Sequence, residues 1–279
     1  MALGGLYGGR IREQWLRVER RAMPLPRLGA GWAGATLVHI SDLHASPIVR
    51  SRYLHQCIER VNGLRPDFVA VTGDFITGPR TYARRVADVL AELAPRVATV
   101  ACLGNHDYGI LTPRGLGSAR GLADYTAERI ARADVFVMQN ETRTFWRHGA
   151  ALQFVGLEDY WSGRFDLERA FDTVRPGVST IALCHNPDVA VRVAARGADW
   201  VLAGHTHGAG PQELYRLHDR LWRTREAFFT AGEYVLPAGR RLYVNRGLSY
   251  GRRVLLNARP EITVFTLVPT TGPRGSPVR

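Results

Sequence analysis

Five short apolar runs that each stop abruptly in a polar cluster constrain this chain more than any other feature. ATLVHI (35–40) ends in SDLH, DFVAV (67–71) in TGD, RVATVAC (96–102) in LGNHD, STIAL (179–183) in CHN, and DWVLA (199–203) in GHTH. Runs of this length rich in Val, Ile and Leu read as buried β-strands. Amphipathic stretches separate several of them. In SRYLHQCIERVNGL (51–64), Leu54, Cys57, Ile58, Val61 and Leu64 recur at helical spacing. Val86, Val89, Leu90 and Leu93 mark a second helix closed by Pro95, and 123–134 a third. Strands alternating with helices predict an α/β fold. Further strand-like runs lie at 135–140, 151–159, 241–247 and 261–268, and Asn186 with Pro187 reads as a helix start. The glycines of 109–121 read as a mobile loop.

The chain has 279 residues, 46% of them hydrophobic, enough for one large core or two modest ones. We expect one catalytic domain over 35–268, preceded by an arginine-rich extension (1–34) and followed by a disordered tail (269–279). The formal charge of +12 comes from 37 basic residues, all arginine. It favours anionic partners, phosphate esters among them, or a solvated basic surface. Cys57, Cys102 and Cys184 lack CxxC spacing and read as small core residues in a reducing compartment. No apolar stretch approaches the roughly 18 residues a membrane span needs. Two prolines and an arginine break the run after Arg20 and Arg21, which argues against a signal peptide. A cytoplasmic protein is expected. The segment with Leu6, Tyr7, Ile11, Trp15 and Leu16 is a candidate for resting on the inner face of a membrane, or for packing Trp15 on the domain.

In open α/β sheets ligands bind at the carboxyl ends of strands. The five runs deliver there Asp42 and His44, Asp74, Asn105 with His106 and Asp107, His185, and His205 with His207. Residues i and i+2 of an extended chain face one side, which would pair Asp42 with His44 and His205 with His207. Clustered His and Asp of this kind signal a metal or catalytic site. His39, His55, His148 and His218 show no partner spacing and read as structural or surface residues. Arg50, Arg52 and Arg80 follow the first two motifs and are candidates for holding a substrate phosphate.

SDLH, TGD, LGNHD, CHN and GHTH, in this order, resemble the five signatures of the calcineurin-like metallophosphoesterase superfamily. The resemblance implies a four-layer α/β/β/α sandwich of two mixed sheets flanked by helices. It implies Asp42, His44 and His207 on one metal, Asn105, His185 and His205 on a second, and Asp74 bridging them. It further implies that a hydroxide held between the metals attacks phosphorus, with His106 at the leaving oxygen and Asp107 orienting His106. Two divalent ions about 3.5–4 Å apart clamp phosphate oxygens and bring water toward a pKa of about 7. Mixed N and O donors suit manganese, iron or zinc rather than calcium, and manganese is favoured here.

The LYVNRGL and PEITVFTL segments resemble a bacterial branch containing small phosphodiesterases and UDP-diacylglucosamine pyrophosphatases, so a phosphodiester or pyrophosphate bond in a lipid or nucleotide substrate is expected. Gly208 is followed here by Ala209, Gly210 and Pro211, where that branch often reads GHTHGGQ. A nuclease and a non-catalytic binding scaffold are the alternatives. Without an appended nucleic-acid module, nucleic acid is not the expected partner. Oligomeric state is not legible.

Overall fold

The computed structural model describes residues 16–112, 119–208, 229–249 and 259–270. Twelve strands among these build two six-stranded sheets. In the first, β1 (Arg17–Pro26), β12 (Glu261–Thr270), β2 (Thr36–Ile40), β3 (Phe68–Thr72), β4 (Ala98–Cys102) and β5 (Val135–Val137) lie side by side in that order. In the second the order is β10 (Gly232–Val235), β11 (Arg241–Val244), β9 (Trp200–Ala203), β8 (Thr180–Leu183), β7 (Ala150–Gly156) and β6 (Glu141–Arg147). Both are mixed: β2 to β5 run parallel with β12 antiparallel to β2, and β11, β9, β8 and β7 run parallel with an antiparallel strand on either edge.

Side-chain alternation along these strands explains the layering. Leu37, Phe68, Ala70 and Val100 of the first sheet meet Phe154, Ile181, Leu183, Trp200 and Leu202 of the second between the sheets. Their neighbours Val38, Ile40, Val69 and Val71 face outward, under α1 (Ser51–Gly63), α2 (Thr81–Leu90) and α3 (Leu122–Ala131). Val155, Ala182 and Val201 likewise face outward, under α4 (Leu167–Phe171) and α5 (Ala190–Ala195). Strands covered on both faces carry no polar alternation, which is why they read as unbroken apolar runs. The expected four-layer sandwich is what forms. Cys57, Cys102 and Cys184 are buried thiols, as anticipated. Asn186 starts its helical turn by accepting from the Asp188 amide at 3.0 Å.

Three strands escape the sequence reading. β6 and β10 are edge strands with little buried surface, so they lack an apolar run. β1 lies inside the expected extension, yet it pairs in parallel with β12 from Arg17 opposite Glu261 to Pro26 opposite Thr270. Met23, Leu25 and Trp32 are buried between the sheets, and the Trp200 indole donates to the Pro24 carbonyl at 2.8 Å. Residues 17–34 are therefore part of the sandwich rather than an appendage. Their arginines disguised the strand because a sheet edge tolerates, and is protected by, outward charge. The second helix stops at Leu90, short of Pro95. Residues 1–15, 113–118 and 271–279, and with them Trp15, the middle of the glycine loop and nearly all of the tail, lie outside the described residues, as do His218 and Ala209 to Pro211.

Candidate metal centre

All five motifs begin where a strand ends, and both sheets present those ends to one edge of the sandwich. Main-chain and side-chain bonds stitch the two sheets there. The Asn245 amide donates to the His39 carbonyl at 3.2 Å, its backbone N–H donates to the Ala203 carbonyl at 2.8 Å, and Leu248 N–H donates to Ser41 at 2.8 Å. Gly204 permits the closest approach. A Cβ at this position would overlap the Ser41 hydroxyl and the Asp42 carboxylate.

The donors do not project from extended strand. Asp42 (φ 51°), His44 (47°), Asp74 (53°), His205 (72°) and His207 (55°) all occupy the left-handed region, immediately beyond the strands. The pairing of i with i+2 is thus made by two left-handed residues flanking one ordinary residue, not by strand alternation. Each such residue costs roughly 1–2 kcal/mol, and strain of this kind concentrates at functional sites.

Three groups of side chains converge: Asp42, His44 and His207; His44, Asp74 and His106; and Asp74, His185 and His205. His44 Nε2 lies 3.0 Å from His207 Nε2, 3.7 Å from Asp42 Oδ1 and 3.4 Å from Asp74 Oδ2. His207 Nε2 is 3.4 Å from the same Asp42 oxygen. The second oxygen of Asp74 is also 3.1 Å from His185 Nε2, so this one carboxylate reaches both halves of the site. Asn105 Oδ1 stands 3.0 Å from His205 Nδ1, while its amide nitrogen donates to the Ile110 carbonyl at 2.7 Å and so turns the oxygen inward.

The imidazoles are held from behind. His185 Nδ1 lies 2.7 Å from the Thr72 carbonyl, which only accepts, so Nδ1 carries the hydrogen and Nε2 turns toward Asp74. That Nε2 is fully buried with no hydrogen-bond partner. Thr77 Oγ1 sits 2.5 Å from His44 Nδ1, and Ser249 Oγ 3.3 Å from His207 Nδ1. Trp161 sets its edge against the His205 ring, centroids 4.7 Å apart. Thr77, Ser249 and Trp161 carry no sequence signal, because their roles arise from where loops land.

Two carboxylates and several histidines share one buried space. Burial alone would raise Asp74, but His185, His44 and His106 together hold the carboxyl well below its usual range. Burial, reinforced by His185, lowers His205 to about 4. An orphaned buried nitrogen, two imidazole Nε2 atoms 3.0 Å apart and a carboxylate common to two groups form a nitrogen and oxygen donor set that fits divalent cations.

His106 stands edge-on to His44, centroids 4.8 Å apart, with its backbone N–H on Asp74 Oδ1 at 2.9 Å. Asp107 does not orient it. Asp107 is fully buried, and its Oδ1 accepts from Phe75 N–H (2.9 Å) and Ile76 N–H (3.2 Å) while Oδ2 accepts from Gly104 N–H (2.9 Å). Its oxygens are spent on tying the Asp74 loop to the Asn105 loop. Burial and the nearby Asp74 push its carboxyl up to about 7. His39 is buried and bonded to Thr72 Oγ1 at 2.8 Å, His55 pairs with Glu92 on the surface, and His148 occupies an exposed hairpin turn, so these three stay outside the site. Arg80 lies over the Tyr125 ring rather than at the donors, and Arg52 is exposed on α1.

This fold, with its motifs at the strand ends, is that of calcineurin-like phosphoesterases. The model of that family matches residues 35–209, and the chain belongs to it; it is a phosphoester hydrolase. Among its relatives, the metallophosphoesterase YkuE of Bacillus subtilis is 30% identical, over 97% of this chain and 92% of its own. The UDP-2,3-diacylglucosamine pyrophosphatase LpxG of Chlamydia trachomatis is 26% identical, over 93% of this chain and 92% of its own, and the phosphodiesterase YaeI of Escherichia coli is 28% identical, over 83% and 82%. In three dimensions the NAD nucleotidase NadN of Haemophilus influenzae superposes with a TM-score of 0.50 at 17% identity, covering 78% of this chain and 45% of that one. The family implies divalent metal ions. No helix among the described residues is long and apolar enough to cross a membrane.

Proposed function

We propose that the chain is a dinuclear metal-dependent phosphoesterase that hydrolyses a phosphodiester or pyrophosphate bond. The observation that carries this reading is the Asp74 carboxylate, within 3.4 Å of His44 on one side and 3.1 Å of His185 on the other. In this proposal Asp42, His44 and His207 hold one ion, Asn105, His185 and His205 a second, and Asp74 touches both. Two divalent ions, when bound, neutralise phosphate oxygens and acidify water toward neutral pH. Nitrogen and oxygen donors without thiolate favour manganese, with iron and zinc as alternatives.

The protein's own part is orientation and proton handling. The Thr72 carbonyl fixes the tautomer of His185, leaving its Nε2 as the free ligand atom, and the Thr77 hydroxyl engages His44 Nδ1, so that His44 Nε2 turns to the site. His106, half-exposed and anchored through its backbone to Asp74, would meet the leaving oxygen with a ring N–H in this proposal. Asp107 acts one step back, by holding the two loops that carry Asp74 and His106.

The similarity to a UDP-2,3-diacylglucosamine pyrophosphatase supports a lipid- or nucleotide-linked diphosphate as substrate. An acylated substrate of that kind would bring a cytoplasmic enzyme to the inner face of its membrane. The test is hydrolysis of an aryl phosphodiester and the matching monoester by protein stripped of metal and then given manganese, zinc, iron or magnesium, with His205→Ala as control. Metal-restored diesterase activity that the control lacks is the expected result. Bound metal without activity on either ester, or on a UDP-linked diphosphate, would sink the proposal.

A further inference from the structure

Beyond His44 the same loop leads into a cavity of about 220 Å³ whose polar lining is Ser46, Arg50, Ser51, Tyr82 and Arg85. It is smaller than the roughly 300–1,000 Å³ that takes a whole ligand, and suits one group of a larger molecule. Among the described residues the lining holds two guanidinium groups, three hydroxyls and no carboxylate.

Several guanidinium groups elsewhere on this arginine-rich surface meet acids: Arg132 with Glu128, Arg164 with Asp124, Arg196 with Glu168, Arg240 with Asp199. Neither Arg50 nor Arg85 has a carboxylate partner among the described residues. Arg85 instead sits over the Tyr82 ring, 5.1 Å from the centroid, a contact that uses none of its N–H groups as a hydrogen bond to an acid. The Ser46 hydroxyl oxygen already accepts from Val49 N–H at 3.1 Å, so its own hydrogen is free to donate. Two like charges converging on one concavity without a counter-charge repel each other until an anion joins them.

The cavity is coupled to the metal centre by the backbone. Ala45 lines it and follows His44 directly. Ala45 N–H donates to the Phe75 carbonyl at 2.9 Å, and its own carbonyl accepts from Thr77 N–H at 3.2 Å. Thr77 is the residue that orients His44. The cavity and the donors Asp42 and His44 thus belong to one loop.

We propose that this cavity is a phosphate subsite, taking a second phosphate of the substrate beside the one that is attacked, so that diphosphate esters are preferred over simple diesters. The assignment of the occupant to substrate rests on the hydrolase reading; the anion site itself does not. The experiment therefore has two arms on the full chain. In the first, Arg50 and Arg85 are modified with phenylglyoxal with and without inorganic phosphate and the peptides are mapped by mass, in wild type and in Asp74→Asn, whose metal centre is impaired. Protection of both arginines in both proteins is expected; equal modification with and without phosphate overturns the site.

The second arm compares kcat/KM for a nucleoside-diphosphate diester with that for an aryl phosphodiester in wild type and in Arg50→Gln/Arg85→Gln. The ratio is expected to fall roughly ten-fold or more, the scale of one lost charge-assisted hydrogen bond, and mainly through KM. Arg50→Gln and Arg85→Gln singly serve if the double variant folds poorly. Protection with an unchanged ratio overturns the assignment to a substrate phosphate and leaves free phosphate as the occupant. Hydrolysis of neither ester by metal-loaded wild type counts against the hydrolase reading, and the protection arm then decides the cavity alone.

Discussion

Replacing Asp107 by Asn separates two roles that the same residue could have had beside His106. In the structure the carboxylate serves three backbone N–H groups, those of Phe75, Ile76 and Gly104, and no ring nitrogen. The asparagine keeps one oxygen, which goes to the two donors at Phe75 and Ile76. Its NH2 then faces the Gly104 N–H, a buried donor against a donor. A buried N–H left without an acceptor costs about 1–3 kcal/mol, and two charge-assisted bonds reduced to neutral ones add about 1 kcal/mol between them. The sum is about 3 kcal/mol, or a fall in Tm of about 6–10 °C for a chain of this size. Because burial and Asp74 push the Asp107 carboxyl up to about 7, the comparison belongs near pH 8.5, where wild type is ionised. Urea denaturation gives the stability, and metal content is read in parallel, since both tied loops carry donors. A variant as stable as wild type, yet as slow as His106→Ala, would refute the tie and restore the orienting role.

Four other outcomes follow from the geometry. His106→Ala should lower turnover far more than bound metal, because its ring touches His44 but replaces none of the proposed ligands; equal losses in elemental analysis and kcat would contradict this. Thr77→Val should weaken metal binding about ten-fold or more by freeing His44 Nδ1, with thermal stability close to wild type, as competition with a chelating dye would report. Gly204→Ala should cost both fold and metal, since the new methyl would overlap Ser41 and Asp42; a stable, metal-replete variant in melting and elemental analysis would be the contrary result. Glu158, bonded to Tyr108 and Gln139, is raised from 4.5 to about 7, chiefly by burial. The folded state thus binds the extra proton between those values, and stability falls as pH rises through that window. Relative to Glu158→Gln, wild type should lose on the order of 2 kcal/mol between pH 4.5 and 7.5, and parallel denaturation curves would disprove it.

The sequence by itself determined the layered α/β architecture, because strands covered on both faces must be apolar throughout and helices packed on them must be apolar on one. It also determined which letters gather at the site, since a parallel sheet presents the ends of its strands to one edge. Three things were decided only in three dimensions. Edge strands β1, β6 and β10 bury too little to leave a periodic signal, so membership of 17–34 in the sandwich rests on pairing with β12, a partner more than 200 residues away. The donors face inward through left-handed backbone, not strand alternation, and the close packing of Gly204 on Asp42 joins the two sheets there. Asp107 belongs to a backbone tie, and Thr77, Ser249 and Trp161 support the histidines. Such supporting roles depend on which loop meets which, and long-range contacts of this kind have no local pattern for a sequence to carry.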